Sequence, residues 1–250
     1  PDYAVSDGRR PGSHRDVRSI RCEPLRSDRS ARREGESLIV AARLGDVKLY
    51  DYDRSSAAYR VRIALNLKRV EYERLPVNLV EDEHASPGYR SIHPQGLIPA
   101  LLTGGERHVQ SLAILEYLEE VHPEPALLPR GAALRSRERA RALMIACDIH
   151  PLNNLRVHRY LRGHLCQDEQ AIQEWMSCWI RAGFEALESW AGDGPFLGGA
   201  SPMMSDVCLV PQMYNARRFD VEIDDFPRLV ATDQRLRALD AFARAAPGEG

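Results

Sequence analysis

Residues 47–68 read VKLYDYDRSSAAYRVRIALNLK, and this stretch sets the architecture of the region after it. Residues suited to a short strand come first and apolar residues at helical spacing come second, so the period changes near Ser55. Ser55 and Ser56 stand where N-cap residues belong, with hydroxyls that can accept from open backbone N–H groups or donate to a ligand. The helix dipole favours an anion at that end of the helix. A plain helix cap is the alternative interpretation.

Composition indicates a folded protein of one large or two small domains. The chain has 250 residues, 44% of them hydrophobic, and a formal net charge of -2. This charge provides no general attraction to nucleic acid or to a membrane surface, and no apolar run approaches a membrane-spanning length. We therefore expect no nucleic-acid or membrane partner.

Five cysteines without C-x-x-C or metal-ligand spacing predict free thiols in a reducing cytoplasm and no metal site. Cys147, Cys178 and Cys208 fall on what the pattern suggests are apolar helical faces, which predicts that they lie in the core. Tyr59 and Arg60 are interpreted as packing and surface residues.

Residues 1–45 differ in composition from the rest. They are rich in Arg, Ser, Gly and Pro, contain no lysine and show little hydrophobic periodicity. Organelle leaders share the Arg and Ser content but are poor in acids, and this segment is not. We interpret it as a disordered or non-native N-terminal extension.

The next region predicts strand, helix, strand, two-stranded hairpin and helix. A second strand is expected over 71–75, and Gly104-Gly105 should close a hairpin between an apolar strand and His108-Val109. Gln110-Ser111 precedes an amphipathic pattern, so Ser111 is a second candidate N-cap. This is the order of a thioredoxin-like α/β domain, but no cysteine pair stands at residues 55–58, which disfavours redox exchange.

From residue 133 onward the pattern is helical throughout. Helices are predicted over 135–147, 170–190, 205–218 and 235–244. Prolines at 123, 125 and 129 mark the boundary. The prediction is an α/β thioredoxin-like domain over residues 46–128, followed by an all-α domain over 133–246.

Several ordered motifs resemble one family. They are RSSAAYRVRIAL at 54–65, HPQGLIPAL at 93–101, QSLAI at 110–114, DIHPLNNLR at 148–156 and DVCLVPQMYNARRF at 206–219. Together they resemble zeta-class glutathione transferases, and within that class the bacterial maleylacetoacetate and maleylpyruvate isomerases. The resemblance covers residues 47–246 and implies the two-domain glutathione transferase fold, with glutathione as cofactor and a homodimeric assembly.

The resemblance also implies roles for single residues. Ser55 and Ser56 would be catalytic, with either Ser55 or Ser56 hydrogen-bonded to the glutathione sulfur, and Pro99 would follow a cis peptide bond. The implied glutathione-binding residues are Ser55, Ile98, Pro99, Gln110, Ser111 and Asn154. The implied substrate-binding residues are Arg54, His150, Arg156 and Arg218.

The implied reaction is cis–trans isomerisation of maleylacetoacetate, an unsaturated diacid, in tyrosine and phenylalanine breakdown. Maleylpyruvate is the close alternative substrate. A general zeta-class transferase acting on electrophiles and α-halo acids is a second alternative, and a non-catalytic interaction module is a third. Arg54 and Arg218 favour the diacid isomerase, because arginine can grip a carboxylate with two parallel hydrogen bonds.

Ala57 is a departure from the family pattern, which commonly has cysteine at this position. The helix mouth therefore lacks a protein thiol, and catalysis would rest on glutathione itself. A free thiol with a pKa near 8.5 is only about 3% ionised at pH 7, so the site must lower that pKa.

Overall fold

The computed structural model describes residues 47–248, which fall in one compact unit. The prediction for residues 1–45 lies outside the described residues. The strands are β1 (Lys48–Asp51), β2 (Glu73–Pro76), β3 (Ala100–Thr103) and β4 (Glu106–Val109). The α-helices are α1 (Ser56–Leu67), α2 (Pro87–Arg90), α3 (Ser111–Val121), α4 (Ala132–Leu143), α5 (Leu155–Gly163), α6 (Glu169–Trp190), α7 (Met204–Arg218), α8 (Pro227–Arg237) and α9 (Asp240–Ala243).

The four strands form one mixed sheet in the order β2-β1-β3-β4. β1 runs parallel to β2 and antiparallel to β3, and the β3–β4 hairpin turns at Gly104-Gly105, both with positive φ. The thioredoxin-like order is as predicted. β2 differs in extent: it begins at Glu73 and includes Pro76, which a strand can hold at the edge of a sheet.

The helical region differs from the prediction in three places. The helix expected over 135–147 is α only to Leu143 and continues as a π-helix, Met144–Ile149. The helix expected over 235–244 is instead the end of α8 and the short α9, separated by the extended backbone of Leu239. The sequence interpretation missed α5, whose high charge conceals its apolar face.

Helix α7 is the centre of the helical region. Twelve of its 15 residues are buried, and α1 of the sheet region and α4 both pack against it. Cys208 on α7 lies in the core as predicted, whereas Cys147 and Cys178 are exposed. Cys178 follows the buried Met176 by two residues, which places it on the opposite face of α6.

A buried polar network attaches the connection between α3 and α4 to the sheet region. Lys68 Nζ donates to Glu119 Oε2 and to the carbonyl of Pro125, both at 2.7 Å. The carboxylate of Glu119 also accepts from the N–H groups of Leu127, at 2.8 Å, and Leu128, at 3.1 Å. Because Leu127 O accepts from Met204 N at 2.8 Å, the same connection reaches the first residue of α7.

Candidate functional site

A cavity of about 560 Å³ opens between the first turn of α1 and the helical region. All of the predicted site residues line it: Arg54, Ser55, Ser56, Ile98, Pro99, Gln110, Ser111, His150, Asn154, Arg156 and Arg218. The first and the last of these residues, Arg54 and Arg218, are more than 160 residues apart in the chain. The structure thus brings together every residue that the sequence interpretation assigned to the site.

The two serines at the mouth of α1 have different hydrogen bonds. Ser55 is the N-cap, and its Oγ accepts from Ala58 N at 3.3 Å, so its own hydroxyl proton is free to donate into the cavity. Ser56 is buried, and its Oγ donates to the carbonyl of Pro211 on α7 at 3.4 Å. Ser55 is therefore the serine whose hydroxyl can donate a hydrogen bond to a bound thiolate.

Ser111 is not the cap that the pattern predicted. It is the first residue of α3, and Gln110 holds the N-cap position with φ of 69°. Gln110 Nε2 donates to Gln95 Oε1 at 2.6 Å, and Ser111 Oγ accepts from Arg60 Nη1 at 3.2 Å. The first N–H groups of α3 have no partner inside the helix, which suits an anion at this end.

The loop before β3 contributes backbone to the cavity. The Ile98–Pro99 peptide bond is cis, as the resemblance implied. Tyr89 Oη donates to the carbonyl of Leu97 at 2.7 Å, and this hydrogen bond holds in place the residue directly before Ile98. Since β3 begins only at Ala100, the backbone of Ile98 lies outside the sheet's hydrogen bonds.

Three exposed arginines surround the cavity without a carboxylate partner among residues 47–248. Arg54 Nη2 donates to Tyr52 Oη at 3.5 Å, and Arg218 stacks over the ring of Phe219 at 4.8 Å. Arg156 follows the α5 N-cap Asn154, whose Oδ1 accepts from Arg156 N at 3.1 Å. These guanidinium groups are free to bind carboxylates of a ligand.

His150 is neutral in this site. Burial lowers its pKa, and the nearby charges of Arg60 and Arg156 lower it further, to about 3. At physiological pH its ring can therefore donate and accept hydrogen bonds but adds no positive charge.

We expect His150 to make the protein less stable in acid. Its pKa is about 3 when folded and about 6.5 when unfolded, so between these values the unfolded chain binds more protons. The free energy of unfolding should then decrease as the pH falls below 6.5. Between pH 7 and pH 5, the free energy of unfolding should fall by on the order of 1–2 kcal/mol less in His150→Gln than in the wild type, as measured by urea unfolding at both pH values. Equal losses in the two proteins would contradict the assignment.

The sequence interpretation placed two residues of the cavity wall elsewhere in the protein. Arg60 was expected at the surface but is 1% exposed and lines the cavity; its position four residues after Ser56, on the same helix face, was the available signal. Cys147 was expected in the core, and it also lines the cavity. Cys147 follows the buried Ile145 by two residues, which places it on the opposite side of the helix.

Two kinds of feature are absent from the part of the chain that the structure describes. Residues 47–248 contain no group of three or more His, Cys, Asp or Glu side chains that could hold a metal ion. No helix within the same residues is long and apolar enough to cross a membrane.

The fold and the cavity define a thioredoxin-like protein that has a serine, in place of a redox cysteine pair, at the mouth of its first helix. Residues 49–126 match the family model described as glutathione S-transferase, N-terminal domain. Maleylacetoacetate isomerase of Pseudomonas aeruginosa is 46% identical over 80% of this chain and 96% of its own length.

Solved structures agree with this match. The holo structure of maleyl pyruvate isomerase, described as a bacterial zeta-class glutathione S-transferase, is 47% identical over 80% of this chain and 96% of that one, with a TM-score of 0.79. Maleylacetoacetate isomerase of Methylobacterium extorquens AM1, with bound malonate and GSH, is 36% identical over the same shares, with a TM-score of 0.78. The chain belongs to the glutathione S-transferase family, in its zeta class. The predicted family, fold and glutathione cofactor are confirmed.

Proposed function

We propose that this protein is a glutathione-dependent cis–trans isomerase that converts maleylacetoacetate to fumarylacetoacetate. The observation that carries the proposal is the set of three arginines without carboxylate partners in the described chain, Arg54, Arg156 and Arg218, around a cavity that also holds Ser55. A substrate with two acidic ends needs such cations, whereas a general conjugating enzyme does not.

The reaction begins with the thiolate of glutathione. Ser55 donates its hydroxyl proton as a hydrogen bond to the sulfur, and the N-terminus of α1 adds a favourable dipole. The thiolate adds to the alkene carbon conjugated with the substrate carbonyl, and the electron pair of the double bond moves to an enolate. The resulting single bond rotates. The enolate then expels the thiolate, which releases the trans product and regenerates glutathione.

The arginines have two functions in this scheme. They hold the substrate carboxylates, and they stabilise the negative charge that develops on the enolate oxygen. His150 is neutral and contributes a hydrogen bond. Glutathione is bound by Ser55, by the backbone of Ile98 before Pro99 and by Asn154. Gln110 and Ser111 at the start of α3 hold its γ-glutamyl carboxylate.

The relatives support a diacid substrate but differ in which one they name. The Methylobacterium protein holds malonate, a dicarboxylate, together with GSH. Similar proteins are named for maleylacetoacetate and for maleylpyruvate, so maleylpyruvate is the alternative substrate. Transfer of glutathione to electrophiles or α-halo acids is a further activity that the same thiolate can perform. The presence of Ser55, Gln110 and Ser111 at the cavity disfavours a non-catalytic module.

Turnover assays test the proposal directly. Purified protein is given maleylacetoacetate or maleylpyruvate, each with and without glutathione, and formation of the fumaryl product is followed. We expect turnover that requires glutathione without consuming it. Consumption of glutathione would indicate conjugation instead, and no turnover of either diacid would contradict the isomerase.

Arg218→Ala should raise KM for the diacid more than tenfold, because one carboxylate loses its guanidinium partner. The dissociation constant of glutathione, measured by calorimetry, should stay unchanged. Arg244→Ala is the matched control: it also removes an exposed arginine, but from an ion pair with Asp240 outside the cavity. Unchanged kinetics in Arg218→Ala would remove Arg218 from the site.

We also propose a homodimer in the cytoplasm, with domains over residues 46–128 and 133–246. Among the described residues every strand falls before residue 110 and only helices come after it, which supports the division. Leu134 and Leu143 on α4 are 52% and 45% exposed, and such apolar side chains are suited to a subunit contact. Sedimentation equilibrium tests the dimer, and a monomer at micromolar concentration would contradict it.

A further inference from the structure

Two arginines of α1 are equally buried but differ in their partners. Arg60 and Arg62 are each 1% exposed. Arg62 donates to Asp51 Oδ1 at 2.7 Å and to the carbonyls of Ala245 and Asp53, both at 2.8 Å. Within residues 47–248, Arg60 donates only from Nη1, to Ser111 Oγ at 3.2 Å. Its Nε and Nη2 have no partner among the residues that the structure describes.

Arg60 is thus a buried cation without a counter-ion in the described part of the chain. Burial opposes its charged form and lowers its pKa. A buried charge without a partner destabilises a protein, and unpaired buried donors add to that cost. Replacing such a group by an apolar side chain of similar length should not destabilise the unliganded protein.

The position of Arg60 connects this charge to the cavity. The residue lines the cavity, and its charge contributes to the low pKa of His150, which also lines it. A guanidinium has donors only, so Ser111 Oγ must act as acceptor toward it. The hydroxyl proton of Ser111 is then directed elsewhere, and the open side of Ser111 is the cavity.

We propose that Arg60 is a positioning residue whose counter-ion is the carboxylate of a ligand bound at Ser111. It orients the Ser111 hydroxyl as a donor to that carboxylate. Its positive charge, next to Ser111, compensates the negative charge of the carboxylate. This inference rests on the proposed glutathione site, in which the γ-glutamyl end of the tripeptide lies at Ser111. The bound carboxylate supplies the negative charge that Arg60 lacks among residues 47–248.

Arg60→Met tests the role through stability and affinity together. The melting temperature of the unliganded variant should equal or exceed that of the wild type. Its dissociation constant for glutathione should rise at least tenfold. In kinetics, KM for glutathione should rise while kcat at saturating glutathione stays close to that of the wild type.

Two fragments identify which end of the tripeptide is affected. γ-Glutamylcysteine keeps the γ-glutamyl carboxylate, and its affinity should fall as much as that of glutathione. Cysteinylglycine lacks that carboxylate, and its affinity should be equal in the variant and the wild type. An equal loss for both fragments would overturn the assignment to this carboxylate. Arg60→Lys retains the charge and should recover part of the lost affinity.

Arg62→Met is the control, because it removes an equally buried arginine from the same helix. It should lower the melting temperature and leave the dissociation constant of glutathione unchanged in the folded protein. If Arg60→Met behaves in this way, or fails to fold, Arg60 is a structural residue and the proposal is wrong. If the wild type does not bind glutathione, the glutathione site itself is wrong; wild-type binding with unchanged affinity in Arg60→Met would reject the role of Arg60 alone.

Discussion

Ser55→Ala should lower kcat at pH 7 about 10- to 30-fold, because a thiol whose pKa returns toward 8.5 is only about 3% ionised at that pH. Ser55 Oγ accepts from Ala58 N, so the hydroxyl proton is directed away from the helix and can serve the glutathione sulfur. Alanine removes this donor and leaves the thiolate with the helix dipole alone. The pKa of bound glutathione should rise toward the free-thiol value of about 8.5.

The measurement combines kinetics with a titration of the bound thiol. Thiolate absorbs in the ultraviolet, so a pH titration of the complex reports the pKa directly, and the pH profile of kcat should move by the same amount. Ser56→Ala is the matched control because its hydroxyl donates to Pro211 O at 3.4 Å. It should reduce stability by about 1 kcal/mol and leave the thiol pKa unchanged. If Ser56→Ala and not Ser55→Ala raises that pKa, the two roles are reversed.

Arg62→Met should destabilise the protein by about 3 kcal/mol or more, because it leaves a buried carboxylate without its principal partner. Arg62 and Asp51 are both 1% exposed in their side chains, and Nη1 lies 2.7 Å from Oδ1. The same guanidinium ties α1 to the residues after α9 through Ala245. A loss of this size should lower the melting temperature by about 10 °C in a domain of this length.

Arg74→Met provides the comparison, since Arg74 Nε contacts the same carboxylate at 2.6 Å from a side chain that is 44% exposed. Solvent screens that contact, so its loss should cost less than about 1 kcal/mol. Both variants are compared with the wild type by urea unfolding. Similar losses for Arg62→Met and Arg74→Met would show that burial does not govern the strength of these ion pairs.

Short-range signals predicted the sheet region well. Ser55 caps α1 as its position before an apolar helical period suggested, and Gly104-Gly105 closes the hairpin. The cap and the turn each depend on the backbone preferences of a few neighbouring residues, and these preferences follow from residue type. The same kind of signal failed at Ser111, because Gln110 adopts a positive φ and takes the cap position.

Periodicity was a weaker guide in the helical region. Cys147 and Cys178 were assigned to apolar faces, but each follows a buried side chain by two residues, Ile145 and Met176, and is exposed. The extended backbone of Leu239, which separates α8 from α9, falls inside one continuous apolar pattern. Local pattern does not report where packing against another element stops a helix.

Motifs at characteristic spacings were enough to identify the family, the order of the elements in the sheet region and the set of residues around the cavity. The tertiary structure was needed to distinguish Ser55 from Ser56 and Arg60 from Arg62. In each pair the residues have the same chemistry, and their different roles depend on contacts with residues that lie elsewhere in the chain: Pro211, Ser111, Asp51 and Ala245. Such hydrogen-bond partners arise from packing between different elements, and no local pattern in the sequence encodes them.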